Sequence, residues 1–295
     1  MSLDIADVFE RLLSHCELPI RLIDVGARFG VVDRWSLLGA RAEILAFEPD
    51  AAECARLNQA APPHVRYLAV GLAADSGEQV LHITSEPACS SVYQPIPELY
   101  GWPGLTCTSP ASTTVMMVRK LDEVVADINF GATAVLKIDT QGSELDILRG
   151  AKRTLETCSL VEVEVEFNAI YAGQPIFWQV DKFMREQGFV LWRLENLVHY
   201  GPETVDVAKS QFFIAGDPAP TNFTWAPSGQ LYWTQALYVP ATFPPSSHAP
   251  IQKLDARIGA VVAGLYGLWD LSLELTHKSG DLSLMTEMRQ IFGMP

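Results

Sequence analysis

The sequence predicts an α/β protein: a doubly wound, mainly parallel sheet of seven strands with helices on both faces. Two observations carry that expectation. Through residues 20–200, short apolar segments of strand length alternate with stretches of helical period. The first strand also runs into a glycine turn, Asp24-Val25-Gly26-Ala27-Arg28-Phe29-Gly30, and a second strand ends in another acid, Glu48. A third feature bounds the domain. After Asp217 the charged residues vanish until Lys253, so residues 1–217 read as one domain and 218–295 as a C-terminal extension.

Taken in order, Ile5, Val8, Phe9, Leu12 and Leu13 recur at helical spacing. Arg21–Val25 and Ile44–Phe47 are strands, with a helical stretch Val31–Leu38 between them. Pro49 ends the second strand, and Asp50 is placed to cap a helix through Asn58. Val65–Val70 is the third strand. The alternation then breaks: Gln79–Ile83 is a strand, but 85–112 is a proline-rich stretch too long for an ordinary connection. It is read either as a lid carrying Tyr93, Tyr100 and Trp102 to a ligand or as a loop pinned by those aromatics. Val115–Val118, Ala134–Ile138 and Leu160–Phe167 are further strands; Leu121–Ile128, the residues after Gly142 and those around Ile176–Met184 are helices. Val190–Leu194 and Gln211–Ala215 read as a closing hairpin, giving one antiparallel strand near the sheet's edge. Residues 218–252 read as an extended aromatic arm. Lys253–Asp270 reads as one helix whose small-residue stripe suits packing or dimerisation.

Composition narrows the function. The net charge is −14 with no run of Lys and Arg, which disfavours a nucleic-acid partner. Five scattered cysteines without a Cys-x-x-Cys pattern suit a reducing compartment. The acidic start is unlike a signal peptide, and no apolar run is long enough to span a bilayer, so a soluble cytoplasmic protein is expected.

The glycine turn decides between cofactors. A dinucleotide fingerprint requires Gly-x-Gly-x-x-Gly, and here those positions are Gly26, Arg28 and Val31. The Gly26-x-x-x-Gly30 spacing after Asp24 suits the looser turn of a Rossmann-like S-adenosylmethionine site, which has no pyrophosphate to cradle. Glu48, an acceptor with two oxygens, suits both ribose hydroxyls. Gly26, Ala27, Arg28, Gly30, Pro49 and Gly71, together with Asp24, Glu48 and Asp139, form the expected cofactor set. Asp139 ends a central strand, where it either faces the ligand or caps the next helix. Lys137, two residues earlier, either pairs with Asp139 or is an ordinary strand-face residue. Glu162, Glu164 and Glu166 alternate with valines; they mark a solvated edge strand or, if the strand is central, a buried Glu166 near the site. The bases considered for a reacting hydroxyl are Asp139, Glu166 and His199. Ser91, Tyr93, Trp102 and Gln141 are the expected acceptor contacts. No metal site is assigned, although the carboxylates leave a metal-assisted variant open.

These motifs resemble the FkbM family of S-adenosylmethionine-dependent methyltransferases. The similarity rests on Ile23–Gly30, Phe47-Glu48-Pro49-Asp50, Ser90-Ser91-Val92-Tyr93, Leu136–Leu145 with Leu148–Ala151, Val163–Phe167, and Tyr171-Ala172-Gly173-Gln174-Pro175. It spans roughly residues 20–200. It implies a class I methyltransferase fold, S-adenosyl-L-methionine as cofactor, and O-methylation of a sugar, polysaccharide, polyketide or related hydroxyl. Phe29 stands where the family often has a small residue. The rival readings are an NAD-dependent sugar oxidoreductase, disfavoured by the failed glycine positions and the lack of a Tyr-x-x-x-Lys pair, and a non-catalytic cofactor-binding protein acting through the aromatic arm.

Overall fold

The computed structural model describes residues 5–16, 19–100, 105–200, 230–242 and 255–293. Its strands are β1 (Ile20–Val25), β2 (Ala42–Phe47), β3 (Val65–Leu68), β4 (Gly71–Leu72), β5 (Gly77–Thr84), β6 (Pro110–Arg119), β7 (Val135–Ile138), β8 (Leu160–Glu166), β9 (Phe189–Tyr200) and β10 (Gln230–Pro240). Its helices are α1 (Ile5–Leu13), α2 (Ala51–Ala60), α3 (Leu121–Asp127), α4 (Glu144–Arg149), α5 (Lys152–Leu155), α6 (Phe177–Glu186), α7 (Ala256–Leu265), α8 (Trp269–Ser279) and α9 (Leu282–Phe292). The central sheet has seven strands in the order β3-β2-β1-β7-β8-β10-β9. All its pairs are parallel except those made by β10, which runs antiparallel to both β8 and β9. This is the expected doubly wound sheet with one reversed strand beside its edge.

The central strands are apolar throughout because both faces are covered. Ile23, Val25, Leu136, Ile138, Val161, Val163 and Val165 face one core with α4 and α6. Leu22, Val135, Leu160 and Leu237 face the other, which is closed by α1, α7, α8 and α9. Asp50 caps α2 as expected, accepting from the Ala52 and Glu53 amides at 3.0 and 3.2 Å.

Four expectations are corrected. The seventh strand is Gln230–Pro240, from the stretch read as an outlying arm; Gln211–Ala215 lies outside the described residues, as do Phe223 and Trp225. Ala236, Leu237, Tyr238 and Val239 are buried between β8 and β9, so this segment has apolar partners on both faces of the sheet. Second, Lys253–Asp270 is not one helix. The chain turns at Gly267 (φ +68°) between α7 and α8. The small residues serve this intrachain turn: a Cβ on Gly264 would stand 2.7 Å from the Trp269 ring, and Ser272 Oγ donates to Ala260 O at 2.7 Å. Of the small-residue stripe, Ala260 and Ala263 are buried within the chain, Ala256 is half-buried and Gly267 is exposed. Third, Val31–Leu38 is not an α-helix. It is a 3-10 segment, Asp33–Arg41, interrupted at Gly39 (φ +52°). Fourth, β4, β5 and β6 leave the main sheet and form a separate three-stranded one. Its β6 is exposed from Pro110 through Val115 and at Met117, half-buried at Met116 and buried at Val118.

Among the described residues, no helix is long and apolar enough to cross a membrane, and none of the five cysteines is in a disulfide.

Because Leu237 is fully buried in a strand contributed from beyond residue 217, Leu237→Ala is expected to cost about 2–5 kcal/mol. Leu282→Ala, at an exposed position of α9, is expected to stay within roughly 0.5 kcal/mol. Urea denaturation of the two variants checks both.

Candidate functional site

The strand order reverses between β1 and β7, and in an open α/β sheet that is where ligands bind. The two strand ends are locked together there. Asp139 N donates to Val25 O at 3.0 Å, while Gly26 N and Ala27 N both donate to Phe47 O, at 3.1 and 3.0 Å. Gly26 sits at φ +85°, and a Cβ built on it would stand 1.9 Å from the Asp139 carbonyl oxygen. No residue with a side chain fits. Gly30 closes the turn, at φ +97°, by donating to Ala27 O.

Above this point opens a cavity of about 410 Å³, within the size range of small-ligand sites. Gly26 and Arg28 line it from the β1 turn, Glu48 and Pro49 from the end of β2, Gly71 from β4, and Asp139 and Gln141 from the end of β7. The small sheet closes it with Leu81, Ile83, Thr114 and Met116, and the long loop with Pro87, Ser90 and Ser91. Sequence reasoning missed the small-sheet wall, since nothing local in β5 or β6 announces which face will meet a distant glycine turn.

Glu48 is buried at the cavity floor. Its Oε1 accepts from Asp50 N at 2.8 Å, and Arg28 lies 3.7 Å away; Oε2 has no protein partner among the described residues. Burial raises its pKa, opposed by the Asp50 amide and by Arg28. Phe29 points out of the turn and is 83% exposed, so it does not intrude on the cavity.

Asp24 does not line the cavity. It is wholly buried, with Oδ1 3.2 Å from Lys137 Nζ and Oδ2 unpartnered. The same ammonium lies 3.7 Å from Asp139 Oδ2, so Lys137 pairs with both acids rather than standing as a plain strand-face residue. Burial works against its charge, but Asp24, Asp139 and Glu162 outweigh that and hold its pKa above the ordinary lysine value. Asp139 also receives Gln235 Nε2 at 3.4 Å. That contact comes from β10 and was invisible in the sequence, where Gln235 lay in the supposed arm.

The glutamates of β8 are buried because the strand is central. Glu164 Oε2 accepts from Gln141 Nε2 at 2.9 Å, and Gln141 holds φ +62°, a strained backbone for a residue with a side chain. Its carbonyl accepts from Ser91 Oγ at 2.6 Å, and its Oε1 from Tyr171 Oη at 3.1 Å. Glu144, which the sequence reading passed over, accepts from the Thr140 and Gly142 amides at 2.7 and 3.2 Å. Burial pushes its pKa up to about 7 against those amides. Glu164 and Glu166 are raised well above the ordinary range, first by burial and then by the charges of Asp139 and Glu144, with Glu166 also raising Glu164.

Other expected contacts lie elsewhere. Glu166 is buried opposite Trp233 in β10, and His199 lies on the edge strand β9 opposite Leu231; neither lines the cavity. Tyr93 gives its hydroxyl to Asp146 Oδ2 at 2.6 Å, and Tyr100 gives its own to Pro95 O at 3.1 Å, so these two aromatics pin the loop. Trp102 lies outside the described residues.

Residues 24–191 match the model of the methyltransferase FkbM domain. The chain belongs to the FkbM methyltransferase family. Its strand order is the class I methyltransferase arrangement, and S-adenosyl-L-methionine is the cofactor that goes with it. Hexuronic acid methyltransferase AglP of Haloferax volcanii is 28% identical over 203 residues, 64% of this chain and 77% of that protein. The 2-O-methyltransferase NoeI of Sinorhizobium fredii is 26% identical over 212 residues, 64% of this chain and 86% of that one. A solved precorrin-6y C5,15-methyltransferase from Geobacter metallireducens aligns over 79% of this chain and 87% of its own at 10% identity, with a TM-score of 0.37.

The carboxyls held above their ordinary pKa give this FkbM protein a specific pH response. A raised carboxyl binds its proton more tightly folded than unfolded. The stability it contributes is present at low pH and is lost as pH rises from about 4.5 toward about 7. Over that window the melting temperature of Glu144→Gln is expected to fall less than that of the parent, as scanning calorimetry at both ends would read.

Proposed function

We propose that this chain methylates a hydroxyl of a saccharide or related polyhydroxylated metabolite, with S-adenosyl-L-methionine in the cavity between the β1 turn, Glu48 and Asp139. The observation that carries the proposal is the junction of Gly26 and Asp139 at the reversal of strand order. It makes a cradle that a Cβ would fill, with a partly exposed carboxylate beside it. The residues suit the cofactor. Glu48 offers an uncommitted carboxylate oxygen at the position for ribose hydroxyls. Leu81, Ile83, Val70 and Met116 supply apolar wall for a flat base. Asp24, buried beneath the turn, holds Lys137 in place behind Asp139. The names of AglP and NoeI, a hexuronic acid methyltransferase and a 2-O-methyltransferase, favour a sugar hydroxyl.

When bound, the cofactor supplies an activated methyl group with a good leaving group. What the chain adds is mostly position and proton control. Asp139 is the base of choice. Of Asp139, Glu166 and His199 it alone lines the cavity, and its side chain is 29% exposed, open enough to reach an acceptor. Lys137 and Gln235 fix the carboxylate from behind. Gln141, held by Ser91, Glu164 and Tyr171, is the polar group beside it and suits contact with a second hydroxyl of the acceptor. Glu164 and Glu166 stay protonated at higher pH than ordinary carboxyls, which limits repulsion around Asp139.

Two outcomes are expected. By calorimetry the protein binds S-adenosylhomocysteine and not NAD, and Glu48→Ala weakens that binding roughly 10- to 100-fold, the worth of lost hydrogen bonds to a charged group. The reverse preference for NAD overturns the reading. With an acceptor found from a panel of uronic acids and oligosaccharides, Asp139→Asn lowers kcat by about 10²–10⁴ while leaving S-adenosylhomocysteine affinity nearly unchanged. An unaltered kcat would move the base elsewhere.

A further inference from the structure

A second basin opens on the other side of α4. Ser143 and Ile147 flank the cofactor cavity, whereas Leu145 and Arg149 belong to this basin of about 630 Å³. Its charge is opposite to that of the rest of the molecule. The chain carries 35 acids against 21 lysines and arginines. Here Lys120, just before α3, converges with Arg149, Lys152 and Lys182 from α4, α5 and α6, against only Asp75 and Glu186 among the lining acids. An indole stands in the same basin: Trp178, on α6, is 61% exposed, unusual for the largest aromatic side chain.

The ion pairs present do not use up these cations. Lys120 meets Asp75 at 2.9 Å, but the Asp75 side chain is 86% exposed; Lys182 meets Glu186 at 3.6 Å, both largely exposed. Pairs of that kind contribute little and exchange readily for a stronger anion. Arg149 shares Asp146, at 2.9 Å, with the Tyr93 hydroxyl. Lys152 has no ion pair among the described residues. Three flexible ammonium groups and a guanidinium around one hollow suit an anion with several oxygens and more than one charge, and the adjacent indole suits a flat ring attached to it. A carboxylate alone would leave most of the donors unused.

We infer that this basin is a binding site for a phosphate- or pyrophosphate-bearing ligand whose ring stacks on Trp178. It is distinct from the cofactor cavity. The inference does not depend on which hydroxyl is methylated.

The test is a titration of the full chain at low salt with inorganic pyrophosphate and with a nucleoside diphosphate. Excess S-adenosylhomocysteine is present, so that the cofactor cavity cannot account for the signal. Calorimetry is expected to show saturable binding of both, tighter for the nucleoside diphosphate. Lys152→Glu and Lys182→Glu are each expected to weaken it about tenfold, the loss of one charge-assisted hydrogen bond. Trp178→Ala is expected to remove the advantage of the ring while leaving pyrophosphate affinity in place. All three side chains are exposed, and unchanged melting temperatures will show that the variants are folded. If saturable binding is found, cosedimentation with phosphatidylcholine vesicles containing phosphatidic acid, blocked by free pyrophosphate, assigns the phosphate to a lipid headgroup; no cosedimentation assigns it to a soluble ester. Absence of saturation by either anion, or affinities untouched by the two charge reversals together, overturns the inference.

Discussion

The contact on which the site depends is the one between Gly26 and the Asp139 carbonyl. It brings the ends of β1 and β7 closer than any side chain would permit, and it does so where neighbouring connections leave toward opposite faces of the sheet. The opening left by that divergence is the cavity. A Cβ at Gly26 would push β7 away and carry Asp139 with it, so the glycine fixes the position of the carboxylate as well as the shape of the turn. The Gly26 and Ala27 amides, both bonded to Phe47 O, tie β2 and therefore Glu48 to the same point.

Around that junction the molecule tolerates an unusual density of buried acid. Asp24, Glu144, Glu162, Glu164 and Glu166 are all buried on or beside the ends of three adjacent strands. Left ionised and unpaired, they would repel one another and be costly to bury. The fold answers in three ways. Lys137 stands between Asp24 and Asp139; backbone amides of the 140–142 turn point at Glu144; and Gln141 and Gln235 present amides to Glu164 and Asp139. Burial holds the pKa of both Glu164 and Glu166 well above the ordinary carboxyl range, so each gives up its proton less readily than an exposed acid.

Much of this was legible in the sequence, and the reason differs from residue to residue. Gly26 and Glu48 were readable because a turn after a strand and an acid ending the next strand are local patterns with one structural meaning. Asp139 followed from its place at the end of a strongly apolar strand. Lys137 stayed undecided because a strand-face lysine has no signature until its neighbours are known. Glu166 and His199 sat at the correct ends of their strands, yet strand position does not fix which side chains reach a cavity. Tyr93 has the composition of a ligand contact and is instead committed to Asp146.

The sequence alone determined the strand and helix periods, the failed dinucleotide fingerprint and the cofactor class those motifs resemble. All of these depend on residues within a few tens of positions of one another. Tertiary structure alone decided that residues 230–240 insert between β8 and β9, that the small sheet walls the cavity, and that Gln235 reaches Asp139. Strand insertion is chosen by apolar faces left open by distant parts of the chain. A segment such as Leu231–Val239 carries only its own capacity to fill that gap, so no local pattern could name its partners.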